Sequence, residues 1–264
     1  MNRRSNLPFF LVLGLIGGFY VALIVALLLA DALQTSPVHL AKALASPEIR
    51  SSIILSLVSC SVSAAFSVAV AVPLGYLLAR TRFPGRGIVD LLVDVPIVLP
   101  PVVVGLSLLI LFQTSPGLYV QRFVSITYAV PAVILAQFVS AAAFAVRTMR
   151  STFEQLSPRT EAVAQTLGCS RAQAFWRISL PEARRGLFTA AALAWAKSLG
   201  EFGPVLLFAG ATRNRTEVLS TSVFFELSVG NVEAGLAVSV LMIAVALAVL
   251  GVLRAFGMRN TTAL

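Results

Sequence analysis

Charge is scarce in this sequence. Only 12% of its 264 residues are Asp, Glu, Lys or Arg, about half the share of a soluble domain. Histidine occurs once and cysteine twice. His39 stands in a short loop without carboxylate or thiol neighbours at ligand spacing, so it reads as a solvated loop residue rather than a metal ligand. Cys60 falls in an apolar run and Cys169 in a polar stretch far along the chain, and no disulfide is expected between them. Neither lysine, Lys42 or Lys197, follows a glycine, so the phosphate-cradling G-x-x-x-x-G-K loop is missing. No nucleophile–base pair falls inside the apolar runs either. The chain is therefore not expected to be an enzyme.

Apolar residues are abundant. They make up 58% of the chain, with a mean hydropathy of +0.92. Runs of roughly 20 apolar residues are long enough to cross a hydrocarbon core of about 30 Å. Such runs lie at 8–30, 53–78, 88–112, 126–146, 187–210 and 234–256. They are continuous rather than alternating with period two, which excludes a membrane barrel. Each must satisfy its own backbone in lipid, so helices are expected. The fold class read from this is an all-α membrane protein with six transmembrane helices. The first run is longer than the core of a secretory signal and is expected to be retained.

The net charge of +9 follows topology rather than a nucleic-acid partner. One set of loops holds Arg3 and Arg4, then Arg80, Arg82 and Arg86, then the arginines between Arg147 and Arg185, then Arg254 and Arg259. The other set holds only Lys42, Arg50, Arg122, Arg213 and Arg215. Basic loops stay on the cytoplasmic side, so both termini are expected there, in an inner (plasma) membrane. No linker or internal repeat divides residues 1–264, which read as a single domain.

Prolines mark where helices must bend. Pro73 falls late in the second run, and VPIVLPP places Pro96, Pro100 and Pro101 inside the third. Each removes an amide donor and clashes with the preceding turn. In lipid such breaks survive only where protein or a wet cavity takes up the freed carbonyls, so this run is expected to line a path. Lys197 and Glu201 lie inside the fifth run, where each charge costs about 2.5–3.5 kcal/mol on insertion scales. Four residues apart, they share a face and can pair, either as a strut or at the border of a path or gate. Gly200 and Gly203 would allow close helix contact or local unwinding.

The longest polar stretch, EAVAQTLGCSRAQAFWRISLPEARRG, runs from Glu161 to Gly186. Ser157-Pro158 offers an N-cap with proline in the first turn, and Glu161 suits the positive end of a helix dipole. Gly168 supplies a left-handed exit. A second helical piece from Arg171 is expected to stop at Pro181. A short helix, a glycine turn and another helix could form a DNA-reading helix-turn-helix, a basic loop lying on anionic lipid, or a docking element. The first is disfavoured because Leu180-Pro181 leads straight into a membrane span. The second leaves the spacing of helix, glycine and proline unexplained.

Four segments carry a family resemblance. Glu161-Ala162-Val163-Ala164, Gly168 and Ile178-Ser179-Leu180-Pro181 resemble the cytoplasmic signature loop (EAA loop) of ABC-importer permeases. PLGYLLARTRFPGRGIVDLL (73–92), VPIVLPPVVVGLSLL (95–109) and AKSLGEFGPVLLFAG (196–210) resemble segments of molybdate, tungstate and sulfate permeases, with Lys197 where an arginine is usual. The resemblance implies type I ABC importer architecture with a cytoplasmic coupling helix, in a coupling loop at about 147–186. It implies that Pro158, Glu161, Ala162, Ala164, Gly168, Leu180 and Pro181 couple to an ATPase, Glu161 meeting a basic residue of that partner. It also implies that Pro96, Pro100, Pro101, Lys197, Gly200, Glu201 and Gly203 border the translocation path or its gate. The implied partners are two ABC ATPase subunits, a periplasmic or extracellular substrate-binding protein, a second permease copy and the membrane. No cofactor is implied on this chain; ATP and Mg belong to the ATPase. The expected function is oxyanion import, molybdate or tungstate first and sulfate or thiosulfate second, with no regulatory domain after the last span. A different class, a self-powered carrier or channel, would use Asp90, Asp94, Lys197 and Glu201 as a charge relay.

Overall fold

The computed structural model describes residues 7–259; Arg3 and Arg4 lie outside that range. All regular structure among the described residues is helical. In chain order the helices are α1 (Leu7–Gln34), α2 (Pro37–Ala45), α3 (Pro47–Arg80), α4 (Arg86–Val98), α5 (Pro101–Gln113), α6 (Ser115–Gln121) and α7 (Val130–Gln155). They continue as α8 (Pro158–Thr166), α9 (Arg171–Ala174), α10 (Leu180–Glu182), α11 (Arg184–Leu199), α12 (Leu219–Ser228) and α13 (Val232–Arg259).

Four of these cross a membrane by length and composition: Phe9–Gln34 of α1, α3, α7, and Val232–Leu253 of α13. The other two expected spans are interrupted, the third at its prolines, as VPIVLPP led one to expect, and the fifth beyond Leu199. The third run is two helices of 13 residues meeting at 114°. Leu99 and Pro100 each precede a proline, whose ring excludes the helical region for the residue before it. Both are extended, with ψ of 140° and 134°. The fifth run is helical only to Leu199. It opens at Gly200, Glu201 and Phe202, and resumes at Gly203 with a widened turn over Val205–Ala209. Pro73, by contrast, sits inside α3 without ending it.

The two interruptions pack against one another. A Cβ added to Gly203 would lie 3.0 Å from the Val102 nitrogen, and one added to Gly105 would lie 2.7 Å from Pro204 Cα. The absence of side chains at both positions lets two backbones meet where each has lost helical bonds.

The core lies between α3, α7 and α11. Cys60, Ala64, Ala71 and Leu78 of α3 meet Ala141, Ala145, Met149 and Phe153 of α7, with Ala190, Ala194 and Trp195 of α11. Small residues dominate, because helices in lipid cohere by close packing rather than by expulsion of water. A polar seam runs through this core on one face of α3: Ser52, Ser56, Ser59, Ser63 and Ser67 are all buried. Their hydroxyls are satisfied largely by helix carbonyls one turn back, as for Ser67 on Ser63 and Ser52 on Glu48. Two of them tie helices together. Ser63 and Ser198 share a hydrogen bond at 3.0 Å, and Ser56 Oγ accepts the Leu219 amide at 2.8 Å.

At the end of the bundle remote from α8, residues 211–218 lead into α12, which packs along α3 and α13. Val218 and Leu219 are buried, while Phe224 stays half-exposed. Glu217 is buried in this loop, accepting from Ser222 Oγ at 2.8 Å. Burial pushes its carboxyl above the ordinary range, only partly offset by Ser222 and the nearby Arg213 charge.

Gly105→Ala is expected to destabilise the protein by about 1–3 kcal/mol, as overpacking does. Gly87→Ala, with nothing near its Cβ position, should be neutral; thermal unfolding in detergent checks the pair. For Glu217, the folded state binds more protons than the unfolded one from the usual carboxylate value near 4.5 up to its raised value. Stability should therefore fall as pH rises through that window. Glu217→Gln should flatten the dependence in unfolding midpoints measured against pH.

Candidate functional site

Helix α8 forms where expected. Ser157 caps it by accepting the Arg159 amide, Pro158 opens it, and Gly168 at φ +91° closes it. The following piece does not stop at Pro181. Ser170 and Gln173 form a reciprocal capping box for α9. Residues Phe175–Ser179 then widen into a π turn in which the Leu180 amide reaches back to the Phe175 carbonyl. Pro181 has no amide to return, and the widened turn absorbs that loss. The chain passes through α10 into α11 with only a turn at Ala183.

The face of α8 turned inward is anchored by charge. Glu161 is 8% exposed. Its Oε1 lies 3.3 Å from Arg80 Nε, and its Oε2 accepts from the Tyr76 hydroxyl at 2.9 Å. Arg80 also donates to the Leu156 carbonyl at 2.8 Å, filling an acceptor left open at the end of α7. Tyr76 stacks edge-on against Phe153 and Phe175. Within this chain, then, Glu161 has a basic partner in Arg80. Ala164 is buried beside it, while Pro158 and Ala162 are exposed. Val163 and, just past the end of α8, Leu167 are more than half exposed, as is Trp176 in the widened turn.

The second group sits at the broken spans. Lys197 Nζ lies 2.5 Å from Glu201 Oε1, as their spacing predicts. Lys197 is one-third exposed and lies 5.8 Å from the centroid of the Phe144 ring, whereas the Glu201 side chain is 1% exposed. No hydrogen bond reaches either Glu201 carboxylate oxygen, so the ion pair alone holds this buried charge. Glu201 leaves the helix, its amide turning back to the Ser198 carbonyl and its own carbonyl accepting from Ser220 Oγ at 2.9 Å. Gly200 ends α11, and Gly203 rests against Pro101–Val102. Pro101 and Gly203 therefore meet; Pro96 lies within the last turn of α4, just before the break.

Asp90 and Asp94 do not join this group. Asp94 is held by Arg147, and Asp90 by Arg150, which also bonds Glu154 at 2.9 Å. The four charges proposed for a relay thus fall into two α4–α7 ties and a separate pair at the broken end of α11.

The family model described as "Binding-protein-dependent transport system inner membrane component" matches residues 71–261. The chain belongs to this family of permease components. Its relatives include the molybdenum transport system permease protein ModB of Mycobacterium bovis, 32% identical over 258 residues and 96% of each chain. The sulfate transport system permease protein CysT of Salmonella typhimurium is 34% identical over 208 residues, 78% of this chain and 75% of its own. A bacterial alginate ABC transporter, crystallised with its alginate pentasaccharide-bound periplasmic protein, shares the fold with a TM-score of 0.76. That match covers 98% of this chain and 96% of the other, at 19% identity.

Several residues of the permease's site escaped the sequence reading: Tyr76, Arg80, Ser63, Ser198, Phe144 and Ser220. Tyr76 and Arg80 stand four apart at the polar end of the second apolar run, a spacing that puts both on one helix face. That was the available signal. The Arg80–Glu161 tie is buried, with side-chain exposures of 12% and 11%. A double-mutant cycle of Arg80→Gln and Glu161→Gln should return a coupling of about 1–3 kcal/mol in thermal stability, with Arg80→Gln alone the more damaging because it strands a buried carboxylate.

Proposed function

We propose that this permease is the translocation subunit of an ATP-driven importer for molybdate or tungstate. The observation that carries the reading is the build of α8: exposed apolar Val163 and Leu167 at its outer face and end, with exposed Trp176 from the widened turn that follows, on a helix locked from behind to Arg80 and Tyr76 of α3. A face of that kind suits a cleft in a separate ATPase, two copies of which would serve a permease dimer. The basic loops support a cytoplasmic position for this end. The full-length likeness to a molybdenum permease supports the cargo.

The mechanism follows the chain of contacts. A push on α8 passes through Glu161 to Arg80 at the end of α3, a 34-residue helix about 50 Å long. Near its middle, Ser63 bonds Ser198, three residues before Glu201. Movement of α3 thereby reaches the point where α11 is broken and leans on the broken α4–α5 pair. A gate at that point needs little energy, because the helical bonds are already missing there. Lys197, paired with Glu201, cannot hold a divalent oxyanion tightly. Selectivity is assigned to an external binding protein that delivers the anion when the dimer opens outward.

Energy supply argues against the self-powered carrier. A dianion entering an interior-negative cell climbs about 2.3 kcal/mol per charge for each 100 mV. The relay that such a carrier would use is split into separate ion pairs.

The test is uptake of radiolabelled molybdate into proteoliposomes holding the permease, its ATPase and its binding protein. Uptake should require ATP and all three components. Val163→Asp with Leu167→Asp should cut ATPase retention and uptake at least tenfold, the loss expected when an interface anchor is removed. Uptake without ATP, or undiminished in that variant, would overturn the reading.

A further inference from the structure

The pairing of Lys197 with Glu201 is lopsided. The carboxylate is sealed, 1% exposed, and takes no hydrogen bond on either oxygen. The ammonium is one-third exposed. Its nitrogen lies 2.5 Å from Glu201 Oε1 on one side and 5.8 Å from the centroid of the Phe144 ring on another. An ammonium carries three N–H donors and no acceptor. Among the described residues Glu201 is its one anionic partner, so donors remain on the exposed side.

That side has an approach. Phe144 and Thr148 lie one turn apart on α7, and Thr189, Leu193 and Lys197 follow one another by turns on α11, so each set shares a face. Toward the α8 end, these faces carry threonines of an open cavity of about 1010 Å³, Thr148 and Thr152 from α7 and Thr189 from α11. Leu193 is 45% exposed, so this face of α11 stays open between Thr189 and Lys197, about 12 Å along the helix. Lys197 stands at the head of a cleft that begins at that cavity.

Charge decides what such a group does there. A tetrahedral dianion that meets Lys197 at rest meets a pair of zero net charge, and Glu201 repels it nearly as strongly as Lys197 attracts it. To hold the anion, the ammonium must turn away from Glu201. That strands a buried carboxylate with no other donor, which is strongly unfavourable. The ring face of Phe144 supports the ammonium along the swing, and Glu201 draws it back. Contact with cargo is allowed and lingering is not.

We propose that Lys197 is a transient ligand for the tetrahedral oxyanion as it passes the broken span, and that Glu201 is the built-in competitor that recaptures the ammonium and expels the anion. This deepens the importer reading and rests on it for the cargo. The bond between Ser198, the residue after Lys197, and Ser63 ties the exchange to α3, the helix that receives the push from α8.

The permease–ATPase complex, in phosphatidylcholine nanodiscs without binding protein, is titrated calorimetrically with sodium tungstate. Glu201→Gln keeps the shape and removes the competing charge; it should bind tungstate at least about tenfold more tightly than the wild type. Lys197→Met/Glu201→Gln, which strands no charge, should lose that gain. Both variants should take up molybdate at least about tenfold more slowly with ATPase and binding protein present, the first because the anion is retained and the second because its ligand is gone. A mere strut predicts lower unfolding midpoints and no gain in affinity. Unchanged or weaker binding in Glu201→Gln, a gain that persists without Lys197, or wild-type uptake by the double variant would each overturn the inference. So would loss of the gain in phosphatidylglycerol nanodiscs, since a lipid phosphate would then be the occupant. ATP-driven uptake by the wild type with no gain in Glu201→Gln would sink the transient ligand and leave the importer standing; the gain without any ATP-driven uptake would do the reverse.

Discussion

Inside hydrocarbon, a backbone amide or carbonyl that leaves a helix has no water to turn to. That constraint organises this molecule. The chain breaks two of its spans, and it places the breaks against each other so that each shields what the other exposes. Gly203 sits on Pro101–Val102, and Gly105 sits under Pro204. The Glu201 carbonyl, outside the helix, is taken by Ser220 from α12. Interruption here is supported on every side.

The same economy governs charge. Arg80 serves a carboxylate on α8 and a helix-terminal carbonyl on α7 at once, so one side chain joins three elements. Arg150 does likewise between α4 and its own helix. Each arginine uses its fork to meet more than one acceptor. These ties lie at one end of the bundle, where the serine seam of α3 gives way to ion pairs. The middle is held by small residues and single hydroxyls, which permit sliding, and the end by directional bonds, which do not.

Much of this was legible in the sequence, and the reason is hydropathy. A run such as 53–78 has no alternative to a helix in lipid. VPIVLPP announced a break because the rings remove donors regardless of context. The size of the bend was not legible, since it depends on what the two halves pack against. The opening at Gly200–Phe202 was permitted by its glycines but not required by them; the Ser220 contact that fixes it comes from α12. Glu161 was placed on the right helix, but its neighbour Arg80 was not foreseen. A helix dipole and a cap can be read locally, whereas the meeting of Glu161 with Arg80 depends on how α8 folds back, a long-range fact that no spacing encodes.

The widened turn at Phe175–Ser179 has a further consequence. A π turn holds one residue more than an α turn over the same stretch of axis, and each residue of a helix is worth about 100° of rotation. That single surplus residue sets the azimuth of everything downstream in α11. Shortening the chain there by one would spin Lys197 and Ser198 a quarter-turn or more away from Phe144 and Ser63, so the aim of the inner charges is dialled in by a loop outside the bilayer.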